Sequence, residues 1–262
     1  MRQNIRRGAV AVSALALATG AAACQPNVNE DNTRHEVSTL TNNTWYSNDT
    51  RLGAGALLVA ESDPGGQITD GAPEGFGTGS LALTTNQSTA TKAQLQTNRF
   101  SGTALADLER LSYQTYQHAD HTGFAEGVPA FQITTADWNG ATDGGGFATF
   151  TYEPYVNGAD VQPGTWQEWD NLQAGQWFSS RALTCGEFTL SATQGSDTAT
   201  LDEIAAACNP SVLQVAVNVG SNNPNYVTLT DDLEVVVADD DDEGTDPQSF
   251  TFDFGPKGSV AT

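Results

Sequence analysis

Four aromatic residues, Tyr155, Trp166, Trp169 and Trp177, fall within a span of 23 positions. Sugar rings present C–H faces that stack on flat aromatic faces, and their hydroxyls need amide or carboxylate partners. Gln167, Glu168, Asp170, Asn171 and Gln176 stand among these aromatics and supply such groups. On a regular strand Trp166, Glu168 and Asp170 share one face, and Gln167, Trp169 and Asn171 share the other. Only one of the two Trp then faces a core, and the other is a candidate carbohydrate platform. The bland alternative is strong, because Trp is a common core residue of β-sandwiches.

A second candidate is the acidic run at 239–243. Oxygen-rich loops hold Ca²⁺, and Asp239, Asp241 and Glu243 alternate as ligands in such loops do. Phe250 stands where an EF-hand needs its bidentate Glu, so the run is not an EF-hand. Its alternative is a solvated hairpin tip. His118-Ala119-Asp120-His121 offers two imidazoles to a metal, but no third ligand is identifiable, and a solvated loop is the plainer reading.

Catalysis has little support. A glycosidase needs two carboxylates facing each other across about 5–10 Å, and the Glu-x-Asp-x-x-Glu strand of sandwich glycosidases is not found around Trp166–Asp170. Nucleophile elbows, metalloprotease helices and phosphate-binding loops are absent. No catalytic residue is assigned.

Charge narrows the partners. The 262-residue chain has 10 Lys and Arg against 32 Asp and Glu, a formal net charge of −22. Three of those cations, Arg2, Arg6 and Arg7, lie at the extreme N-terminus. Nucleic-acid binding requires clustered cations that displace counterions, and none occur here. A polybasic membrane contact is excluded on the same ground.

The N-terminus has the form of an export signal. A positive segment precedes Gly8–Ala23, an uncharged run of 16 residues that is short for a permanent membrane span. It ends in Ala21-Ala22-Ala23 followed by Cys24. The order resembles a bacterial lipoprotein signal, in which the Cys is lipidated and becomes the first residue. Ala21 departs from the usual Leu or Val, and an ordinary Ala-x-Ala cut at the same bond is the alternative. The Arg6-Arg7 pair has a poor setting for twin-arginine export. The expected product is extracellular or in the cell envelope, with a lipid anchor at Cys24.

Cys185 and Cys208 bracket a 22-residue loop. Their pairing suits an oxidising compartment and leaves Cys24 as the odd thiol. The alternative, a zinc or catalytic thiol, lacks a second Cys or His at ligand spacing.

These residues must be positioned by strands. Residues 24–50 are polar and unpatterned, and read as a tether, with Trp45 and Tyr46 marking where structure begins. Thereafter strand-like runs alternate with Gly, Asn, Asp and Pro punctuation. Strands are expected at 79–85, 92–97, 111–116, 130–134, 147–152, 165–172 and 211–220. The last of these puts Leu213, Val215, Val217 and Val219 on one face. Asp232–Val237 and Phe250–Phe254 read as a hairpin. Leu105–Leu111 reads as a helical turn before a strand. Thr200 and Glu203 form a capping box for a helix over 201–207, which Pro210 follows. The expectation is one all-β domain over 51–262, a jelly-roll-like two-sheet sandwich with one short helix.

Several motifs in this order carry a resemblance. They are Gly79-Ser80-Leu81, Leu111-Ser112-Tyr113, Phe147 to Pro154, Trp166-Gln167-Glu168-Trp169-Asp170, Trp177, Asn209-Pro210, Val217-Asn218-Val219-Gly220-Ser221 and Asp232-Leu233. The set resembles a broad group of secreted bacterial domains without an established activity. Their architecture is similar to the jelly-roll sandwiches of carbohydrate-binding modules. The resemblance spans roughly residues 75–255 and implies a fold more than a function.

The function expected is a non-enzymatic envelope or extracellular module binding a glycan or another envelope component. It requires no cofactor, and calcium is the cation its acidic run would take. The alternatives are a polysaccharide hydrolase or lyase and a purely structural or protein-binding envelope lipoprotein.

Overall fold

Alternating apolar and polar residues between turn formers give this chain its strands, and the strands give it two faces to bury. The computed structural model describes residues 34–37, 45–60, 71–73, 78–136, 146–192, 197–238 and 247–255. The signal segment, Cys24 and the acidic residues Asp239, Asp241 and Glu243 lie outside the described residues. The strands in chain order are β1 (Arg34–Val37), β2 (Ala54–Ala60), β3 (Gly79–Thr85), β4 (Ala93–Thr97), β5 (Leu108–Gln117), β6 (Ala130–Ala136) and β7 (Ala148–Tyr152). They continue with β8 (Trp166–Trp169), β9 (Trp177–Ser179), β10 (Leu183–Cys185) and β11 (Phe188–Leu190). Helix α1 (Leu201–Cys208) precedes β12 (Ser211–Val219), β13 (Val227–Val237) and β14 (Gln248–Phe254).

They make the expected all-β, jelly-roll-like sandwich with one short helix. A seven-stranded sheet runs β1-β14-β13-β3-β2, with β5 also on β13 and β8 on β5. A five-stranded sheet runs β4-β12-β6-β7-β9. Their inner faces meet in one apolar core. Leu81, Leu111, Tyr113 and Phe252 come from the first sheet, and Leu95, Phe131, Phe150 and Val217 from the second. Each such buried side chain contributes about 1.5–3 kcal/mol through loss of apolar surface from water.

Two pieces of the stretch read as a tether belong to this sandwich. Arg34–Val37 pairs in parallel with Thr251–Phe254. Trp45 is fully buried and meets Phe252 and Phe254 edge-on, both at 5.0 Å between ring centroids. The burial of Trp45 against the period-two Phe residues gives this polar segment a reason to stay on the sheet.

Strand β12 departs from simple alternation. A bulge lies between Val212 and Gln214. The extra residue shifts the phase, so Val212 is buried and Leu213 turns outward. Val215, Val217 and Val219 face the core as expected.

Strand β13 is the spine of the larger sheet. It pairs with β5 along one edge; along the other it pairs first with β3 and then with β14. The change of partner falls at Asp231 and Asp232, where the ladder bulges and Asp232 takes φ +48°. The gap in the ladder leaves backbone N–H groups to satisfy. Asp231 Oδ1 accepts from Phe254 N–H at 2.7 Å and from Asp232 N–H at 2.8 Å. The carboxyl is fully buried, and burial pushes its pKa up to about 8.

The capping box is formed: Thr200 Oγ1 accepts from Glu203 N–H, and Glu203 accepts from Thr200 N–H. Cys185 and Cys208 are bonded, tying β10 to the end of α1. Leu105–Asp107 is a single 3₁₀ turn leading into β5.

Candidate functional site

The outer face of the five-stranded sheet is floored by uncharged residues. Strand pairing sets them side by side, because directly opposed residues share a face. One row crosses all five strands: Gln96 opposes Ala216, Ala216 opposes Gln132, Gln132 opposes Thr151, and Thr151 opposes Phe178. A second row sets Gln214, Thr134 and Thr149 together. Gln94 and Asn218 form a third pair. None of these outward positions carries an acid.

The amides are held in place across strands. Asn218 Nδ2 donates to Gln94 Oε1 at 2.9 Å, and the Gln94 amide donates in turn to Gln96 Oε1. Gln132 Nε2 donates to Thr151 Oγ1 at 3.1 Å. Thr134 and Thr149 share a hydroxyl contact at 2.9 Å.

Two adjoining depressions lie over this floor, of about 540 and 570 Å³, and both are lined by Lys92, Gln132, Thr151 and Phe178. Each is of the size that small-molecule sites occupy. Together they form one groove across the strands. At one end stand Phe124 and Tyr155, edge to face at 5.1 Å, beside the 220–223 loop. Phe178 sits in the middle. At the other end Phe147 is 53% exposed, with Leu213 nearby at the bulge.

Phe124 is positioned by a tightly tied loop. Gln117 Nε2 donates to the carbonyls of Ala125 and Gly127 at 3.0 and 2.9 Å. His121 Nδ1 accepts from Val227 N–H, which leaves Nε2 to donate to the Phe124 carbonyl at 2.9 Å. Both imidazole nitrogens are thus used on backbone, in the neutral Nε2–H tautomer, and burial lowers the His121 pKa to match. This loop histidine is a clip and has no nitrogen left for a metal. Gly127 is required here, since a Cβ would lie 2.1 Å from the Tyr226 hydroxyl oxygen.

The four aromatics singled out from the sequence do not form one platform. Tyr155 lies in the groove. Trp177 is fully buried; its Nε1 donates to the Leu172 carbonyl at 2.7 Å, and it packs on Phe131 and Tyr152. No ligand reaches it, because the pleat turns it inward while its neighbour Phe178 faces out. Trp169 also points inward from β8, against Tyr113, with Nε1 donating to Thr115 Oγ1 at 2.7 Å. Trp166 lies on the outer face of the other sheet, beside Tyr116 at 5.6 Å. The polar groups around them are also committed. Gln167 bonds the backbone of Asp160 and Gln162, and Asp170 pairs with Arg110.

The groove residues missed from the sequence are Gln94, Gln132, Asn218, Phe147 and Phe178. Outward polar residues on half-buried strands are ordinary, so their alternation alone singles out nothing. The available signal was their type: Gln, Asn and Thr at outward positions throughout four strands of a chain with 32 acids.

Among the described residues no group of three or more His, Cys, Asp or Glu is placed to hold a metal ion. The carboxylates lining the groove are Asp49, ion-paired with Lys92, and Glu153.

No family model matches the chain, and no curated protein matches it. Among solved structures it is similar to the family 11 carbohydrate-binding module of the cellulosomal cellulase Lic26A-Cel5E of Clostridium thermocellum. That match has 11% identity and a TM-score of 0.40, over 77% of this chain and 92% of that one. It is also similar to the family 11 module from Clostridium thermocellum in complex with a β-1,3-1,4-mixed-linked tetrasaccharide, with 11% identity and a TM-score of 0.37 over 77% of this chain and 94% of that one. An exo-β-agarase matches with 12% identity and a TM-score of 0.36, over 75% of this chain and 23% of the agarase. At these values the likeness says nothing about a ligand, and the reading of the groove rests on its own residues.

Proposed function

We propose that this chain is an exported, non-enzymatic module that binds a glycan in the groove across its five-stranded sheet. The observation that carries the reading is the groove's composition. Cross-strand amides and hydroxyls floor it, and Phe124, Tyr155, Phe178 and Phe147 stand along its length. Sugars need both kinds of partner: flat apolar faces for their C–H surfaces, and donors and acceptors fixed in advance for their hydroxyls. The amides are already bonded to one another, so little side-chain freedom is lost on binding.

Export is supported by the positive, apolar and small-residue order ahead of Cys24 and by the Cys185–Cys208 bond, which suits an oxidising compartment. A lipid on Cys24 would hold the module at an envelope surface.

The test is a glycan panel probed with the purified, folded protein, with and without calcium. The expected result is micromolar binding to at least one glycan with no reducing ends released, weakened at least fivefold by Gln132→Ala or Tyr155→Ala. Calcium dependence would support the reading of Asp239, Asp241 and Glu243 as a cation site. A folded protein that binds no glycan would defeat the proposal.

A further inference from the structure

Taking the groove as a glycan site, we infer that its glycan is anionic, bearing carboxylates or sulfate esters. The chain has 10 basic side chains against 32 acidic ones. Three of those ten stand at the groove. Arg51 and Lys92 line it, and the Arg181 guanidinium lies 4.6 Å over the Phe147 ring at its far end.

Their pairing separates them. Lys92 is matched with Asp49. Among the described residues, neither Arg51 nor Arg181 lies within ion-pair distance of a carboxylate. Arg110, on the other sheet, shows what this chain does with an arginine that has a structural task. It sits between Asp170 at 3.0 Å and Glu234 at 3.1 Å. The contact of Arg181 with the Phe147 ring is a cation–π contact and not an ion pair, so the guanidinium charge is not matched by a carboxylate there. Arg51 is exposed at the groove. A guanidinium edge matches carboxylate and sulfate oxygens two at a time.

Solubility does not account for these cations, since in a chain of charge −22 each one lowers the magnitude of the net charge. A neutral glycan would use their N–H donors but not their charge. The overall negative charge is not a barrier to a polyanion. At physiological salt the screening length is about 8 Å, so the polymer meets the charges of the groove and little beyond. There the outward strand positions hold no acid, Asp49 is paired with Lys92, and Glu153 at one end is the other carboxylate against Arg51 and Arg181. The amide floor reads hydroxyls, and the two arginines read the anionic substituents.

The experiment measures binding of the whole protein to two matched pairs of polymers. One is polygalacturonate with its fully methyl-esterified form, and the other is κ-carrageenan with its desulfated form. The expected result is at least tenfold tighter binding to one charged polymer than to its neutralised partner, falling as salt rises. The tighter charged polymer identifies carboxylate or sulfate as the group read. The double substitution Arg51→Gln with Arg181→Gln is expected to remove that preference while leaving the thermal midpoint unchanged. Equal or tighter binding of the neutralised forms, or a double variant that keeps the preference, overturns the anionic assignment and leaves glycan binding standing. A folded protein that binds neither these polymers nor any neutral glycan overturns both.

Discussion

The two outer faces of this sandwich are built from different chemistry. The five-stranded sheet presents amides, hydroxyls and Phe178, with charge only at its margins. The seven-stranded sheet carries its charges on the strands themselves. Arg110 lies between Asp170 and Glu234; Ser249 donates to Glu234 at 2.8 Å, and Gln114 to Asp232 at 2.8 Å. Those charges are largely matched with one another. The amide face is also internally bonded, but each amide keeps further donors and acceptors. Aromatics divide in the same way. Trp166 leans on Tyr116 across the larger sheet, whereas Phe124 and Phe147 stand 47% and 53% exposed at the ends of the groove. The proposed binding face is therefore distinguished by amides and exposed rings in place of paired charges, and the presence of Trp is a poor guide.

The largest effect is expected from crossing the sheet by one residue. Trp177 and Phe178 are neighbours in β9 with opposite orientations. Trp177→Ala should cost about 3–5 kcal/mol of unfolding free energy, the range for deleting a large core aromatic. Chemical denaturation measures this, and a loss below about 1 kcal/mol would mean that Trp177 is not the core residue described.

The next effect belongs to the charged sheet. Folding raises the Asp231 pKa from 3.8 to about 8, with burial as the main cause. The folded form thus binds a proton that the unfolded chain gives up near pH 4. Stability from this group is complete below that pH and is lost as pH rises towards 8, by at most about 1.4 kcal/mol per pH unit. Asp231→Asn keeps an oxygen for the Phe254 and Asp232 N–H groups and cannot ionise. The variant should be flatter in stability from pH 4 to 8 and more stable than the parent at pH 8. An unchanged pH profile would show that Asp231 is not the group responsible. The groove has no such buried acid in its floor, so glycan affinity should not follow this titration.

A smaller effect tests the rings directly. Phe178→Ala should weaken glycan binding about tenfold, or roughly 1.4 kcal/mol, with a smaller loss of stability than Trp177→Ala, because Phe178 is only partly buried on the outer face and Trp177 is fully buried. Trp166→Ala, on the opposite face, should leave affinity within about twofold. If isothermal titration shows the reverse, the platform lies on β8 and the groove assignment is wrong.

The contrast between the faces was only partly legible in the sequence. Period-two runs such as Leu81/Leu83 and Phe250/Phe252/Phe254 mark core strands plainly, and the Thr200–Glu203 box marks α1. Those signals are local, and the structure keeps them. Three features depend on partners far along the chain. Arg34–Val37 is too short and polar to declare a strand without β14 beside it. The β12 bulge reverses Leu213 because of how β6 pairs, which no alternation within 211–220 reveals. The groove draws on strands β4, β6, β7, β9 and β12, separated by up to 120 positions or so, and becomes a site only once register aligns them. Trp drew attention to β8 because its side chain is large. Orientation, which decides whether a ring meets solvent or core, is set by pairing.

The smallest effect is expected where the charged face looks most structured. Arg110 Nε meets Asp170 Oδ1 at 3.0 Å, and both side chains are about half exposed, at 47% and 50%. The contact raises the Arg110 pKa, and the Arg110 hydrogen bond lowers that of Asp170. For an acid lowered on folding, the stability gained is present above the unfolded pKa and lost as pH falls through the folded one. Water screens the pair, so Asp170→Asn should cost only about 0.2–1 kcal/mol at neutral pH. Thermal unfolding at pH 7 and again at pH 3 reads this out, and the difference between the two proteins should narrow at the lower pH. A loss of several kcal/mol at pH 7 would mean that the Arg110 pairs hold the seven-stranded sheet together. In that event the charged face would be a structural element in its own right, no longer a solvated counterpart to the groove.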